Sequence, residues 1–366
     1  MNDGHPRNPT VTFCITELDI GGAEKAMVRI ARGLCSTGWN VRVISLRDAG
    51  PLAAELLAAG IPVTALNCGG FGDVRTFFRL RRELKANPAD VLMCFLHQAN
   101  IYGRLAARFT GGPIVASGIR VADRRKWVVL TDRITRCCAA QYIAVSQHVA
   151  DIHAELCGIP PAKICSIPNG VDVPDATELL GKNSRPAHVL LTVGRLTPQK
   201  NPQCLLDAFC ELPNDIRSQS TLKFVGDGPL RSELKAAIQR RSLEDRVQLL
   251  GHSDEVPDLM RQATLLVLSS LWEGMPNVVL EAMANGLPVV ASDVDGVREL
   301  IEHEVTGWLV PPADSSALAI TLASALSDSK QRQAIADSAQ ILVAEAFTWT
   351  SVVGEYDRVL RSLLPR

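Results

Sequence analysis

The sequence has no long apolar run and no excess of charge of either sign. Of its 366 residues, 47% are hydrophobic and 21% are charged, which is typical of a globular protein, and the net charge is −1. Apolar runs such as Leu265–Leu268 and Pro288–Ala291 are far shorter than the ~18 residues of a bilayer span. Residues 1–9 are polar, so we expect no export signal. The overall charge gives no support for binding of nucleic acid.

Cysteine pairs with the Cys-x-x-Cys spacing of metal and redox sites are also absent, although ten cysteines are present. Cys137 and Cys138 form a bare vicinal pair. Without an export signal, we interpret the cysteines as reduced thiols in the cytoplasm, where cysteine packs as a small hydrophobic residue.

Charge is distributed unevenly along the chain. Residues 1–173 carry 20 Lys and Arg against 14 Asp and Glu, a net charge of +6, whereas residues 174–366 carry 18 against 25, a net charge of −7. The basic excess lies in two clusters, Arg79–Lys85 and Arg120–Lys126. This asymmetry indicates two domains with different partners.

Short apolar runs alternate with segments of helical periodicity in both halves. In the first half we predict strands at Val11–Thr16, Trp39–Leu46, Val63–Leu66, Val91–Phe95, Ile114–Ser117 and Tyr142–Val145, with helices at Ala23–Ser36 and Leu52–Ala59. In the second half we predict strands at Val189–Val193, Leu222–Val225, Val247–Leu250, Leu265–Leu268 and Pro288–Ala291, with helices at Gln203–Phe209, Leu230–Arg240, Pro276–Asn285 and Thr350–Leu364. This alternation indicates α/β domains with parallel sheets covered on both faces.

The stretch around residues 174–187 is polar and contains proline, so we interpret it as a linker. It separates an N-terminal Rossmann-like domain over residues 1–173 from a C-terminal Rossmann-like domain over residues 188–349. Open α/β sheets bind ligands at the carboxyl ends of their strands, so we expect the site in a cleft between the domains.

The most informative segment follows the predicted strand Leu265–Leu268. Glu273 lies in the turn, Pro276 is near the first helical position, and Glu281 lies within the helix that follows. The backbone N–H groups at such a helix start can hold a phosphate, and a carboxylate can accept from two vicinal sugar hydroxyls. A solvated helix residue is the alternative interpretation of Glu281.

Three further segments contain candidate ligand groups. Arg195 and Lys200 follow a strand and could neutralise the charge of a diphosphate, or they could be two surface cations. Gly21-Gly22 allows close backbone approach to a ligand or simply forms a tight turn. His97 could donate a hydrogen bond into the cleft or could be a packing residue. Asn169-Gly170 predicts a hinge turn with a glycine of positive φ.

Taken in order, five segments resemble the family 4 retaining glycosyltransferases. They are GGAE at 21–24, IPNGVD at 167–172, VGRLTPQKN at 193–201, VGDGP at 225–229, and the E-x7-E pattern at 273–281. The resemblance covers essentially the whole chain. It implies the GT-B fold, in which two Rossmann-like domains face a central cleft, with the final helix, residues 350–366, returning to the first domain.

The resemblance also implies roles for individual residues. Glu281 matches the glutamate that binds the ribose, and Glu273 matches the one that contacts the donor sugar. Arg195 and Lys200 match the pair on the diphosphate, and His97 matches a histidine near the transferred sugar. The other implied donor-binding positions are Gly21, Gly22, Gly194, Gly274, Met275, Pro276, Asn277 and Val278.

The function implied by the resemblance is that of a retaining hexosyltransferase of class EC 2.4. It would need no metal and no cofactor beyond its nucleoside-diphosphate sugar, with a UDP-sugar expected first and GDP-mannose second. A hexose or N-acetylhexosamine would pass to a glycan or lipid-linked acceptor in polysaccharide or glycolipid synthesis. Asp293-Val294-Asp295 is interpreted as a turn rather than as a metal motif.

The acceptor is expected against the N-terminal domain. Phe77 and Phe78 precede the first basic cluster, and Trp127 follows the second. This combination suits an anionic membrane surface, with the protein peripheral on the inner face, or a lipid-linked diphosphate. A solvated helix face is the alternative.

Three other functions remain as alternatives. The first is another enzymatic activity found on the GT-B fold, such as that of a sugar-nucleotide epimerase or a phosphorylase. An NAD-dependent oxidoreductase would need a G-x-G-x-x-G segment after a strand, and this pattern is absent. A non-catalytic homologue is disfavoured because Glu273, Glu281, Arg195 and Lys200 are all present.

Overall fold

The computed structural model describes residues 7–70, 72–121, 123–174 and 188–365. The predicted linker over 174–187 therefore lies outside the described residues, apart from Pro174. The chain divides into two compact units, which we call the first unit (residues 1–170 and 349–366) and the second unit (residues 171–348).

The first unit is built on seven parallel strands. These are β1 (Thr10–Ile15), β2 (Asn40–Ser45), β3 (Val63–Ala65), β4 (Val91–Phe95), β5 (Ile114–Ile119), β6 (Gln141–Ala144) and β7 (Ile164–Ser166). The helices between them are α1 (Gly22–Ser36), α2 (Ala53–Ala58), α3 (Val74–Ala86), α4 (His97–Arg108), α5 (Lys126–Thr135) and α6 (Gln147–Cys157). The strand order is β3-β2-β1-β4-β5-β6-β7, so the sheet is doubly wound.

The second unit repeats this plan with six parallel strands. These are β8 (His188–Val193), β9 (Ser220–Val225), β10 (Val247–Gly251), β11 (Leu265–Leu268), β12 (Val289–Ser292) and β13 (Trp308–Val310), in the order β10-β9-β8-β11-β12-β13. Its helices are α7 (Pro202–Glu211), α8 (Asn214–Ser218), α9 (Arg231–Arg240), α10 (Val256–Gln262), α11 (Asn277–Ala284), α12 (Asp295–Arg298), α13 (Ser315–Ser327) and α14 (Ser329–Ala346).

Successive residues of the central strands enter two different cores of the second unit. Leu190 packs in the core formed with α7, α9 and α13, whereas Leu191 packs in the core formed with α11 and α14. The same alternation holds for Leu265 and Leu266 on β11. Because side chains alternate across a strand, a strand that is buried on both faces must be apolar throughout, which is why it is an uninterrupted apolar run in the sequence.

The chain ends in α15 (Trp349–Ser362), which packs against α1 of the first unit. Val352 and Tyr356 are buried in the same core as the α1 residues. A Cβ on Gly33 of α1 would lie 2.4 Å from a methyl group of Val353, so the absence of a side chain at Gly33 allows the two helices to approach closely. The predicted final helix is thus confirmed, and it belongs to the first unit.

The structure confirms every strand and helix predicted above, with bounds that differ by a few residues. It adds elements that were not predicted: the short strands β7 and β13 and the helices α3, α4, α5, α6, α8, α10, α12, α13 and α14. Among the described residues, none of the helices combines the length and the apolar character needed to cross a bilayer.

The prediction for Gly170 is wrong, because this residue does not have a positive φ. A Cβ at this position would lie 2.6 Å from ring atoms of Trp349, at the start of α15. Close packing against that indole, rather than a turn conformation, therefore requires the glycine.

The strand order reverses once in each sheet, between β1 and β4 in the first unit and between β8 and β11 in the second. At such a point the loops after the two neighbouring strands leave in opposite directions and open a crevice at their carboxyl ends, where α/β proteins bind ligands. The loops after these four strands therefore define the candidate site in each unit.

Candidate functional site

The crevice of the second unit brings a cation and a carboxylate into contact. Lys200, after β8, places its Nζ 2.5 Å from Oε1 of Glu273, after β11. The hydroxyl of Ser270 donates to the same oxygen at 2.6 Å. The Glu273 side chain is only 7% exposed, whereas that of Lys200 is 23% exposed. The ion pair thus has a buried acidic half and a cationic half that solvent can reach.

Hydrogen bonds between the two loops hold this pair in place. The backbone N–H of Leu271 donates to the carbonyl of Gln199 at 2.8 Å, and Nε2 of Gln199 donates to the carbonyl of Trp272 at 2.9 Å. The hydroxyl of Ser269 donates to the carbonyl of Lys200 at 3.0 Å. The loops were predicted to lie near each other, but Gln199, Ser269 and Ser270 were not predicted to join them.

Three glycines are required here by backbone-to-backbone packing. A Cβ on Gly226 would lie 2.1 Å from the carbonyl oxygen of Gly194, and one on Gly228 would lie 2.5 Å from that of Leu196. A Cβ on Gly296 would lie 2.2 Å from the carbonyl oxygen of Gly274. The VGDGP turn therefore supports the loop after β8, and the start of α12 supports the loop after β11.

Arg195 and Lys200 line one small recess at the carboxyl end of β8, together with Gly194. The segment is not a plain loop as predicted, since Pro198–Lys200 is a single turn of 3-10 helix. The Arg195 side chain is exposed, and the described part of the chain offers its guanidinium no hydrogen bond or ion pair. Positive charge is therefore available to a ligand in this recess.

The helix α11 starts at this crevice. Pro276 is the N-cap of this helix rather than its first helical residue. Among the described residues, no side chain caps the start of the helix. Glu281 is half-buried, whereas its neighbours Leu280 and Ala282 are fully buried. The other predicted donor-binding positions of this segment lie in the turn or first helical turn: Gly274, Met275, Asn277 and Val278.

In the first unit, the crevice contains Gly21, Gly22 and the start of α1. A Cβ on Gly21 would lie 2.2 Å from Oε2 of Glu24. The space above Gly21 is thus filled by the Glu24 carboxylate. Burial raises the pKa of Glu24, as do the negative charges of Glu17 and Asp19, against the opposing effects of a backbone hydrogen bond and Arg120.

Arg120, which the sequence placed in a surface cluster of cations, is part of a hydrogen-bonded network instead. Its guanidinium donates to Oδ1 of Asn169 and lies 5.9 Å from the ring centroid of Phe95. Burial lowers the pKa of Arg120, while the neighbouring Tyr356 of α15 and Glu24 raise it. The second basic cluster therefore begins at Arg124.

His97, the first residue of α4, turns both ring nitrogens toward α5. Nε2 lies 3.2 Å from Oγ1 of Thr131, and Nδ1 lies 3.5 Å from Oδ2 of Asp132. The ring packs edge-on against Trp127, with centroids 5.2 Å apart. His97 is thus in contact with α5, and its hydrogen bond to a ligand stays a prediction.

Asp132 pairs in turn with Arg104, whose Nη1 lies 2.5 Å from its Oδ1, and both side chains are buried. Burial by itself raises the pKa of Asp132, but the hydrogen bond with His97 and the charge of Arg104 outweigh it, and the pKa lies below its usual value. Neither residue was singled out from the sequence. An arginine within the apolar stretch Ile101–Ala107 was the available signal.

Among the described residues, two groups have the chemistry of metal ligands. Asp132, His153 and Cys157 offer ligand atoms within 4.8 Å of one another, but burial raises the pKa of the Cys157 thiol to about 11, and Arg104 already pairs with the carboxylate. Asp293 and Asp295 both pair with Arg298, in and beside α12. Both arrangements fit ion pairs within the protein better than a bound cation.

Family models match both halves of the chain. The model described as Glycosyltransferase Family 4 matches residues 20–174, and the model described as Glycosyl transferases group 1 matches residues 180–341.

Individual proteins are similar over most of the chain. The chain is 30% identical over 314 residues to the UDP-Gal:alpha-D-GlcNAc-diphosphoundecaprenol alpha-1,3-galactosyltransferase of Escherichia coli, which covers 80% of this chain and 81% of that protein. It is 27% identical over 352 residues to an alpha-1,4-N-acetyl-D-galactosaminyltransferase of Campylobacter jejuni that acts on a diNAcBac-PP-undecaprenol glycan, covering 90% of this chain and 92% of that one. Among solved structures, Anabaena HepE in complex with UDP and glucose superposes with a TM-score of 0.84 at 24% identity, covering 97% of this chain and all of the other.

Proposed function

The chain is a glycosyltransferase of family 4 with the GT-B fold, and from this premise we propose that it transfers a sugar from a UDP-sugar to a lipid-linked sugar diphosphate or glycan. GDP-mannose is the second candidate donor. We further propose that the transfer retains the anomeric configuration and needs no metal ion. The donor would bind in the second unit.

The observation that carries the proposal is the cationic recess beside the Lys200–Glu273 pair. Breaking the bond between the sugar and its diphosphate leaves negative charge on the leaving group. Lys200 is held by its ion pair with Glu273 and is still partly exposed to solvent. The exposed Arg195 lines the same recess. Preorganised positive charge that meets developing negative charge is commonly the largest contribution to catalysis, and it can replace a metal ion in this role.

Glu273 then has an orienting role rather than a nucleophilic one. Its Oε1 already accepts from both Lys200 and Ser270, so this oxygen is fixed by two donors. The second carboxylate oxygen is the one that can accept from a sugar hydroxyl. Glu281, half-buried on α11, would accept from the ribose hydroxyls, and the amides of Gly274–Val278 would contact phosphate and sugar.

The comparisons support the choice of donor and acceptor. The Escherichia coli relative uses UDP-Gal by its name, and HepE is solved with UDP. Both the Escherichia coli and the Campylobacter jejuni relatives act, by their names, on undecaprenol-linked diphosphates. We therefore rank a UDP-hexose or UDP-N-acetylhexosamine first, and an acceptor carried on a lipid diphosphate first.

The first test is a thermal-shift panel with UDP, GDP, ADP and NAD, each with EDTA and with Mg²⁺. A ligand present at about 100 times its Kd adds about 2.7 kcal/mol to the stability of the unit that binds it. We expect a shift with UDP in EDTA. A shift that requires Mg²⁺ would contradict metal independence, and a shift with GDP alone would move GDP-mannose to first place.

Retention is tested on the product. The wild-type enzyme is given its UDP-sugar and an undecaprenyl-diphosphate sugar, and the anomeric proton coupling of the new linkage is measured by NMR. The same configuration as in the donor is expected, and the opposite configuration would show an inverting enzyme. Hydrolysis or epimerisation of the donor without acceptor would favour the alternative GT-B activities.

We also propose that the helices α3 and α5 contact an anionic membrane. Trp127, Leu130 and Ile134 form one exposed stripe of α5, and Val74 and Phe78 are exposed on α3. Exposed cations flank both stripes: Arg75, Arg82 and Lys85 on α3, and Arg124, Arg125, Lys126 and Arg133 on or beside α5. Helix α4 packs against both α3 and α5. Exposed apolar stripes with cations at their edges are typical of helices that lie in the membrane interface.

Vesicle cosedimentation tests this membrane contact. We expect binding to vesicles of phosphatidylglycerol and phosphatidylethanolamine but not to phosphatidylcholine alone. The double substitution Trp127→Ser and Leu130→Ser should weaken binding by about a hundredfold or more, because each of the two large apolar side chains contributes about 1.5–3 kcal/mol when it is buried. The matched control, Ile320→Ser with Ile341→Ser, changes two exposed apolar residues of the second unit. Equal loss in both variants would contradict the proposal.

A further inference from the structure

The buried pair of Arg104 and Asp132 fixes the position of one carboxylate behind His97. Arg104 is fully buried and is held by three acceptors: Asp132 Oδ1 at 2.5 Å, Ser117 Oγ at 2.9 Å and Thr135 Oγ1 at 3.1 Å. Its guanidinium also lies 4.9 Å from the ring centroid of Tyr142. One oxygen of Asp132 is thus committed to Arg104, and the other, Oδ2, faces His97 Nδ1 at 3.5 Å.

This geometry determines which ring nitrogen of a neutral His97 carries the proton. A lone pair on Nδ1 would face the ionised Oδ2 of Asp132, which is unfavourable, whereas an N–H at that position is attracted to it. The neutral ring therefore has its proton on Nδ1 and a lone pair on Nε2. A buried charged acceptor that selects a tautomer in this way acts on the ring without touching a ligand.

Thr131 completes the arrangement because its hydroxyl has more than one acceptor within reach. Its Oγ1 lies 3.2 Å from His97 Nε2, 3.0 Å from the carbonyl of Trp127 and 2.9 Å from the carbonyl of Val128. When the hydroxyl donates to a carbonyl of its own helix, it releases Nε2 and still keeps a hydrogen bond. His97 is 21% exposed, so a hydroxyl group of a ligand can reach the ring.

We propose that Asp132, held by Arg104, is a positioning residue that keeps His97 in the Nδ1–H tautomer, so that Nε2 accepts a hydrogen bond from a hydroxyl group of the sugar substrate. The inference rests on the proposed function, because it gives His97 a substrate to bind. Asp132 itself touches no substrate and acts only through the histidine.

The other charged groups near His97 are consistent with this arrangement. Asp123, which precedes α5, interacts with the ring and carries a second negative charge, itself paired with Arg125. His153 of α6 lies behind Asp132, with its Nε2 3.9 Å from Oδ2. Of the two carboxylates Asp123 and Asp132, it is Asp132 whose Oδ2 lies 3.5 Å from Nδ1 of His97.

The direct test is a long-range ¹H–¹⁵N spectrum of the wild-type protein labelled in its histidines. The His97 signals are assigned by their loss in His97→Gln. We expect the Nδ1–H tautomer of the neutral ring, and a change of the Nε2 shift when UDP-sugar is added. The Nε2–H tautomer would overturn the proposal. This measurement needs no altered Asp132, so it does not depend on the folding of a variant.

Kinetics of Asp132→Asn give the second readout. An asparagine can offer its NH₂ group to Nδ1 and so allow the wrong tautomer, and we expect kcat to fall by about 10–100-fold, the usual cost of losing such a supporting partner. The donor KM should change less than threefold. Because this variant leaves Arg104 buried without a counter-charge, Asp132→Asn combined with Arg104→Met is measured beside it. Asp151→Asn, on the surface of α6, is the matched control. An unchanged kcat in a folded Asp132→Asn protein would overturn the proposal.

The two experiments separate this inference from the proposed function. If the Nδ1–H tautomer is found in a protein that transfers no sugar, the proposed function fails and the positioning by Asp132 stands. If His97→Gln transfers sugar at the wild-type rate, the positioning has no role in the reaction and the inference fails, while donor binding in the second unit is unaffected.

Discussion

The Lys200–Glu273 pair of the second unit and the Arg104–Asp132 pair of the first differ in how far water reaches them. Lys200 is 23% exposed and belongs to a recess that a ligand can enter, whereas Arg104 and Asp132 are 0% and 3% exposed. The Lys200–Glu273 pair joins the loops after β8 and β11, where the sheet of the second unit reverses its strand order, whereas the Arg104–Asp132 pair joins α4 to α5 beside Ser117 of β5. The same fold therefore uses one ion pair to present charge and the other to hold a histidine ring in place.

The difference has a physical basis in the partners of each cation. The Arg104 guanidinium donates through Nε and Nη1 to three side chains of its own unit, which partly offsets the loss of hydration, while its buried Nη2 has no hydrogen-bond partner among the described residues. Within the described ranges, Lys200 pairs with one side chain, that of Glu273, and it keeps contact with solvent. A cation that solvent reaches can be shared with a ligand, whereas one that is completely buried cannot.

The largest expected effect comes from removing the presented charge. Arg195→Ala combined with Lys200→Ala should lower kcat/KM for transfer by at least about a thousandfold, since a single donor to a developing anion is commonly worth 10²–10³ in rate. The measurement is release of UDP with acceptor present. Lys235→Ala with Arg240→Ala, two exposed cations of α9, is the matched control and should retain activity. Activity of the test variant within fivefold of wild type would break the comparison.

A smaller effect is expected from disturbing the support of the second crevice. Gly296→Ala places a Cβ 2.2 Å from the carbonyl oxygen of Gly274 and 3.0 Å from that of Glu273, so the backbone beside the ion pair must shift. We expect a loss of about 1–3 kcal/mol of unfolding free energy and weaker UDP binding. Thermal unfolding and calorimetric titration measure the two. Normal UDP affinity would show that the loop after β11 does not depend on this contact.

The pH dependence of stability sharpens the comparison through His153 beside Asp132. Burial lowers the pKa of His153 below its unfolded value of 6.5, assisted by the charge of Arg104 and by that of His97 when it is protonated, and opposed by Asp132. The unfolded chain therefore binds the proton more readily than the folded one. As a result, the free energy of unfolding decreases as the pH falls from 6.5 through the pKa of the folded state. Urea unfolding followed over this window should show a falling midpoint. His153→Gln should flatten the slope, and an unchanged slope would contradict this origin.

The second unit also contains a histidine whose pKa is lowered by burial. Burial, together with the charge of Arg332, lowers the pKa of the half-buried His188 at the start of β8. His188→Gln is therefore the matched variant: we expect it to flatten only the pH dependence of the second unit. A change in both units would show that their unfolding is coupled.

The smallest effect is expected at the contact of α1 with α15. Gly354→Ala meets nothing within 4 Å in the middle of α15, so it should stabilise the first unit by about 0.5–1 kcal/mol through higher helix propensity. Gly33→Ala is the opposing partner, because its Cβ would lie 2.4 Å from Val353, and it should destabilise. Opposite shifts in thermal midpoint are expected. Equal shifts would show that the helix contact is not close-packed.

Local patterns were sufficient to predict most of the elements. Fully apolar runs such as Leu265–Leu268 indicated strands buried on both faces, and the periodicity of Ala23–Ser36 indicated an amphipathic helix. These signals are local because they depend on spacing within a few residues. The strands β7 and β13 and nine of the helices, among them α3, α4 and α5, were not predicted.

The candidate site was predictable in part. The sequence placed Lys200 and Glu273 in loops at strand ends, but not in contact, because 73 residues separate them. The sequence indicated that Gly21 allows another group to approach the backbone closely, but it did not indicate which group. In the structure, the carboxylate of Glu24 occupies the space where a Cβ of residue 21 would lie. Arg120 looked like a surface cation because its neighbours in the sequence are surface cations.

The sequence by itself determined the parallel α/β architecture and which loops carry charged groups, because burial on both faces and turn chemistry are read from neighbouring residues. The tertiary structure decided which charges meet. Strand order brings β8 next to β11, which joins Lys200 to Glu273, and the packing of α4 on α5 joins Arg104 and His97 to Asp132. Pairings of this kind depend on distances of a few ångströms between segments far apart in the chain, and no local pattern specifies them.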